Sequence, residues 1–268
     1  MKLLINQTVL RACFPENNLT NKYLIKQLKK EDNIKDIETL LNKKNKNAIL
    51  PSQRNIKTDK KSKESLFENI RYTCYNSKKN NSIKEFKKRF PQICHEINSY
   101  FNIYDVNKPQ IRISNTKKFN GYYFNQICLE ENIYHQMILT ATHEYIHHII
   151  SKKVPNLNYR YYSYFEEGMA RGLENHIAKI YANKEKDERY LIQNCSINCF
   201  EFLQVYFKLC EKFNKKPLKK WNKEKKMIEG LTIGSHAIGN TIFSLYEMKS
   251  GEDIYRKNMY KLIRLEKN

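Results

Sequence analysis

The segment His143-Glu144-Tyr145-Ile146-His147 sets two histidines four residues apart, with a glutamate directly after the first. On a helix, residues i and i+4 lie one above the other on one face. Two imidazoles so placed can point at one ion, at about 2.0–2.1 Å each for zinc. Glu144 projects beside them, close enough to take a proton from a water made acidic by that ion. The pattern points to metal-assisted hydrolysis, with His143 and His147 as ligands, Glu144 as general base and Zn2+ as the cofactor. So short a pattern recurs by chance across many proteins, and its surroundings must decide.

A third ligand is available in Tyr164-Phe165-Glu166-Glu167-Gly168-Met169-Ala170-Arg171-Gly172-Leu173-Glu174. Spacing from His147 admits either Glu166 or Glu167. Gly168 and Ala170 favour Glu167, because small residues let two helices approach closely around an ion. Glu174, two helical turns beyond Glu167, lies on nearly the same face. It could accept a hydrogen bond from the free N–H of a ligand histidine, or be a plain surface carboxylate.

In these residues the chain resembles the gluzincins, zinc peptidases that pair H-E-x-x-H with a glutamate on a second helix. It is most similar to the branch with the third-ligand motif E-G-x-A-x-x-x-E, that of the aminopeptidase N type and the peptidase-MA-like proteins. Glu167-Gly168-Met169-Ala170 aligns with that motif and Glu174 falls on its distal Glu. The resemblance makes Glu167 the third zinc ligand and implies a zincin-like metallopeptidase domain. Thermolysin-like enzymes usually carry an Asp four residues after the third ligand; Arg171 stands there in this chain. Residues 109–114, 121–129, 236–246 and 250–253 are similar to the edge strand and C-terminal helix pair of peptidase-MA-like domains, so the resemblance spans residues 82–268. A Tyr or His from the later helices often stabilises the oxyanion in such domains, and by position His236 takes that role, with a polar helix start as its other reading. The chain lacks a G-x-M-E-N element, by which aminopeptidase N relatives capture a free amine. Action within a peptide or protein substrate is therefore expected.

Other conspicuous side chains have plainer readings. His148 points about 100° away from His147 on the same helix, which suits packing or support of the ligands from behind. His176 neighbours Glu174; His95 and His135 read as ordinary. The aromatic run at 159–165 and Trp221 among lysines could stack on nucleic-acid bases, but packing is the favoured reading of the run and a basic loop that of Trp221.

These residues need elements to hold them. Residues 22–46 repeat apolar side chains at helical steps among lysines, and 43–63 read as a polar linker. Ile83, Phe86, Phe90, Ile93, Ile97 and Phe101 suit a helix with Pro91 as a kink or break. Residues 110–114 alternate like a strand, and 121–129 form one or two β segments. Helices follow from about 133 through the H-E-x-x-H, then at 166–181, 187–213, 236–248 and 252–265. The expected fold class is α+β: a small sheet plus active-site helix, then a mostly helical C-terminal part. Residues 1–80 form a basic, partly helical or loosely ordered extension, and 81–268 the zincin-like domain.

Composition bounds the partners. The 268 residues carry a formal charge of +21, with 40% hydrophobic, 12% aromatic and 29% charged residues. Such a charge suits an acidic partner such as nucleic acid. Lys far exceeds Arg, however, whereas phosphate and base recognition lean on the guanidinium fork. The charge therefore reads as compositional, and a peptide or protein substrate is favoured over nucleic acid. A basic nucleic-acid-binding or mobile-element protein is the alternative, as is an inactive peptidase-like binding protein. The intact His143, Glu144, His147 and Glu167 speak against the latter. Seven cysteines without a CxxC pair suit reduced, buried thiols. No stretch approaches the ~20 apolar residues of a membrane span. A cytoplasmic, soluble protein is expected; export through a dedicated secretion system would leave no readable mark.

Overall fold

The computed structural model describes residues 21–47, 82–114, 121–131, 134–155, 159–251 and 254–266. They form a mostly helical α+β structure. Two N-terminal helices, α1 (Asn21–Leu28) and α2 (Asn33–Asn47), precede α3 (Ser82–Phe101). Three short strands follow, β1 (Ile111–Ser114), β2 (Gly121–Tyr123) and β3 (Ile127–Glu130). The rest is helical: α4 (Tyr134–Lys153), α5 (Tyr159–Glu185), α6 (Arg189–Lys212), α7 (Asn222–Ile228), α8 (Ser235–Ser250) and α9 (Ile254–Glu266).

The sheet has the order β1-β3-β2. β3 is the central strand, parallel to β1 and antiparallel to β2, with Gly121 opposite Leu129 and Tyr123 opposite Ile127. All four residues of β3 are buried, as a central strand covered on both faces requires. β2 is a sheet edge that lies against α4.

α4 shows little amphipathic contrast, and from Met137 to Ile150 every residue is buried except Thr140 and His147. A helix apolar nearly all round belongs in the interior. The sheet, α3, α5 and α6 surround it. Tyr145 on its α3 side donates to Asn98 Oδ1 at 2.9 Å. His148 lies 2.7 Å from the Asn107 carbonyl and 3.1 Å from the Tyr123 hydroxyl, a packing role that ties α4 to the sheet.

Three local expectations change. The helical pattern at 22–46 splits in two, because Asn33 Nδ2 donates to the carbonyls of Gln27 and Leu28 and so closes α1 before α2 starts. Pro91 does not end α3, which runs through it. The carbonyl it leaves unbonded belongs to Lys87, an exposed position where water can serve. The aromatic run from Tyr159 is already helical and opens α5, with Tyr162 and Phe165 buried. Trp221 is also buried. Within 1–80, the described part packs into the main core: Leu24, Leu28, Ile34, Ile37, Leu40 and Leu41 join one cluster with residues of α3 to α9. Most of the 43–63 linker lies outside the described residues. No helix among the described residues is long and apolar enough to cross a membrane.

Candidate metal centre

The helical period of α4 puts His143 and His147 on one face, and their rings meet edge to face with centroids 5.1 Å apart. Their Nε2 atoms are 3.3 Å apart. α5 crosses this face and brings Glu167 Oε2 to 3.0 Å from His143 Nε2 and 3.6 Å from His147 Nε2. α8 supplies His236, whose Nε2 lies 3.0 Å from the same Glu167 oxygen. Its ring stacks on that of His143 at 5.3 Å and 14°. Ligand atoms of His143, Glu167 and His236 all lie within 4.8 Å of one another, a cluster that can hold a metal ion. His147 completes a second, overlapping set with His143 and Glu167. Of the two candidate glutamates, Glu167 converges on both Nε2 atoms. Glu166 turns instead to the far side of His147, with Oε2 3.2 Å from Nδ1.

Close helix approach makes this geometry reachable. Gly168 and Gly239 face each other where α5 crosses α8. A Cβ on Gly239 would stand 2.4 Å from the Tyr164 carbonyl oxygen, 2.7 Å from Gly168 N and 3.2 Å from Glu167 Cβ. The first two are backbone atoms that cannot rotate aside. Gly239→Ala is therefore expected to push α8 off α5 and to destabilise the fold by about 1–3 kcal/mol, the usual cost of overpacking. A lowered thermal midpoint checks this; an unchanged or raised midpoint would contradict the contact.

Charge explains why the cluster wants a cation. Glu144, Glu166, Glu167 and Glu174 are all buried around the two histidines. Burial alone lowers the His147 pKa, but bonding to Glu166 and Glu167, with the charges of Glu167 and Glu144, pushes it up to about 10. His143 is also raised: burial and Arg171 oppose this, and Glu167 and Glu174 prevail. Burial would raise the Glu167 carboxyl, yet bonds with His143, His147 and His236 hold it far below the usual carboxylate range. The imidazoles thus supply the positive charge these carboxylates require, and a metal ion at the same point would supply it equally well. Two ring nitrogens facing each other at 3.3 Å also repel unless a proton or a cation lies between them.

Behind the cluster lies a polar network. Glu174 Oε2 is 3.5 Å from His143 Nδ1, where the sequence places it, but that oxygen is bonded by Arg171 and Nδ1 makes no hydrogen bond. Arg171 also donates through Nη2 to Glu201 Oε1 at 2.9 Å. Asn240 Nδ2 donates to Glu201 Oε2 at 2.6 Å and to Asn198 Oδ1 at 2.8 Å, and Asn198 donates on to Asn175 Oδ1 at 2.7 Å. Sequence reasoning missed this network. Its signal was polar residues at helical spacing: Arg171, Glu174 and Asn175 on α5, and Asn194, Asn198 and Glu201 on α6. His176 does not join the site; its ring packs on Tyr100 at 4.4 Å. His135 pairs with Asp187 at 2.8 Å.

The cluster opens on a cleft of about 410 Å3. Gly121, Tyr122 and Tyr123 of β2 form one wall, Ile150, Val154 and Pro155 another, and Glu144 faces the same space as the histidines. Comparison with protein-family models, with curated proteins and with solved structures returns no match.

Proposed function

We propose that this chain is a zinc-dependent peptidase of zincin-like, gluzincin type, cleaving within an extended peptide or protein substrate. One observation carries the reading: the triangle formed by His143 Nε2, His147 Nε2 and Glu167 Oε2 has edges of 3.3, 3.6 and 3.0 Å. Donors about 2.0–2.1 Å from a tetrahedral zinc stand about 3.3–3.4 Å from one another, so these edges bracket one face of such a site. Nitrogen and carboxylate donors with a fourth position open to the cleft are the donor set of catalytic rather than structural zinc.

Bound there, zinc would supply a Lewis acid that lowers the pKa of water from 15.7 towards about 7 and polarises a carbonyl. The chain's own groups do the rest. Glu144 is buried to 7% exposure on the cleft wall and takes the proton of the attacking water on its carboxylate. It then returns that proton to the leaving nitrogen. β2 is the edge strand of the sheet among the described residues, and an extended peptide could add beside it as a further strand along the cleft. Such strand addition needs no free terminus on the substrate. His236 stands within reach of the same opening and can donate to a developing oxyanion.

The test is metal content with a cleavage assay. Purified protein is expected to hold about one zinc per chain, as a three-ligand site demands. His143→Ala should reduce this to near zero, as measured by atomic emission after dialysis. Wild-type protein that keeps its fold and retains no tightly bound zinc would end this reading.

A further inference from the structure

His143 and Glu167 belong to two donor sets at once. His147 completes one of them and His236 the other. A zinc with three protein ligands keeps an open position, whereas four protein ligands close it. We propose that His236 is a fourth, displaceable ligand: the resting ion is held by His143, His147, Glu167 and His236, and the reactive position opens only when His236 swings out. This rests on the zinc reading above and adds a resting state to it.

The four side chains are held very differently. The side chains of Glu167 and His143 are 3% and 4% exposed, and that of His147 is 12% exposed. That of His236 is 48% exposed. Three donors are thus fixed by packing, while the fourth stands at the rim with room to rotate. Its contacts are of the right kind for a ligand. Nε2 points at the shared Glu167 oxygen, 3.0 Å away, and the ring lies flat against the ring of His143.

The backbone around His236 separates a fixed part from a movable one. Gly239, three residues on, lies in close backbone contact with Tyr164 and Gly168, which anchors α8 against α5 there. Before His236 the chain is open. Glycine 230 has φ +83°, a Cβ on Gly230 or Gly234 would meet nothing within 4 Å, and the start of α8 has no side-chain cap. The swing of His236 thus needs movement of only its side chain and the first turn of α8. Closing the fourth position protects the ion from loss and from adventitious anions. A substrate seated along β2 would compete for that position with one imidazole, a modest barrier beside that of peptide hydrolysis.

The test uses the full chain loaded with zinc, and separately with cobalt(II), whose visible bands report coordination number. Chelator competition should show zinc binding by His236→Ala weakened at least about tenfold, since even a group hydrogen-bonded to a ligand is worth ~10–100-fold. The cobalt bands should shift in position and intensity. Acetohydroxamate, a small chelating anion, should bind cobalt-loaded His236→Ala at least about tenfold more tightly than wild type, because in wild type only the swung-out fraction is competent. Metal-free melting of both proteins is recorded alongside, so that a loss of fold in His236→Ala is told apart from the loss of a ligand. Zinc affinities within about twofold of each other, below the ~10–100-fold worth of even an indirect contact, together with unchanged cobalt bands, overturn the proposal. Equal hydroxamate affinities overturn its displacement half. Failure of wild type to bind zinc at all is a separate result, and defeats the zinc reading itself.

Discussion

On the proposed zinc-peptidase reading, Glu144→Gln is expected to abolish peptide cleavage and to leave zinc in place. Glu144 follows His143 directly on α4 and so points about 100° away from it around the helix. It lines the cleft with the ligand atoms, while Glu167 is the carboxylate that meets both Nε2 atoms. Glutamine has the same size and can still hydrogen-bond, but it cannot accept a proton and return it. General base and acid action of this kind contributes about 10²–10⁴-fold, which at 1.36 kcal/mol per decade is roughly 3–5 kcal/mol of the barrier. The loss should fall on kcat with KM little changed, since the amide still fills the same wall. Zinc content and cleavage must be measured on one preparation. A variant that keeps its zinc and more than about a tenth of wild-type kcat would remove Glu144 from the role of base, because the smallest expected loss is about 100-fold.

The residues behind that prediction were legible because their geometry is local. Four-residue spacing in an apolar helical stretch forces His143 and His147 onto one face, and Gly168 with Ala170 separates Glu167 from Glu166 on packing grounds. Structure brings those three donors together and turns Glu166 to Nδ1 of His147 instead. His236 was reachable only through resemblance and position, because nothing local says that α8 crosses α5 at Gly239. Legibility fails further where a residue's meaning depends on a distant partner. Asn194, Asn198 and Glu201 form a stripe that, on an isolated helix, reads as a solvent face; packed against α5 and α8 it is interior. The apolar period of α1 and α2 was readable, but that these helices share the core with the helices of the candidate metal centre was not. Asn33 likewise looks like any polar residue until its side chain is seen closing α1.

Arg171 is where that hidden part of the structure should show its strength. Its side chain is 13% exposed and its guanidinium bonds two carboxylates, Glu174 at 1% and Glu201 at 8% side-chain exposure. Burial opposes ionisation of Glu174, and Arg171 is the largest influence holding its pKa below the ordinary carboxylate value. Arg171→Met keeps most of the volume and removes the charge. Glu201 then remains buried without a cation and Glu174 is left with His143 alone, a situation that costs about 3–5 kcal/mol. Domains of this kind are stable by only about 5–15 kcal/mol, so the loss is a large share of the whole. Urea denaturation of metal-free protein is the measurement, since bound zinc would add its own stabilisation. Adding Glu201→Gln to Arg171→Met should recover part of the loss, about 1–3 kcal/mol, because an amide in that position no longer needs the guanidinium. Glu201→Gln alone should be harmful, as it weakens the bonds from both Arg171 and Asn240. That change of sign separates a buried charge network from simple packing. If Arg171→Met costs less than about 1 kcal/mol, or if the second substitution adds to the loss, the Arg171 side chain acts through its bulk and the charge pairing contributes little net stability.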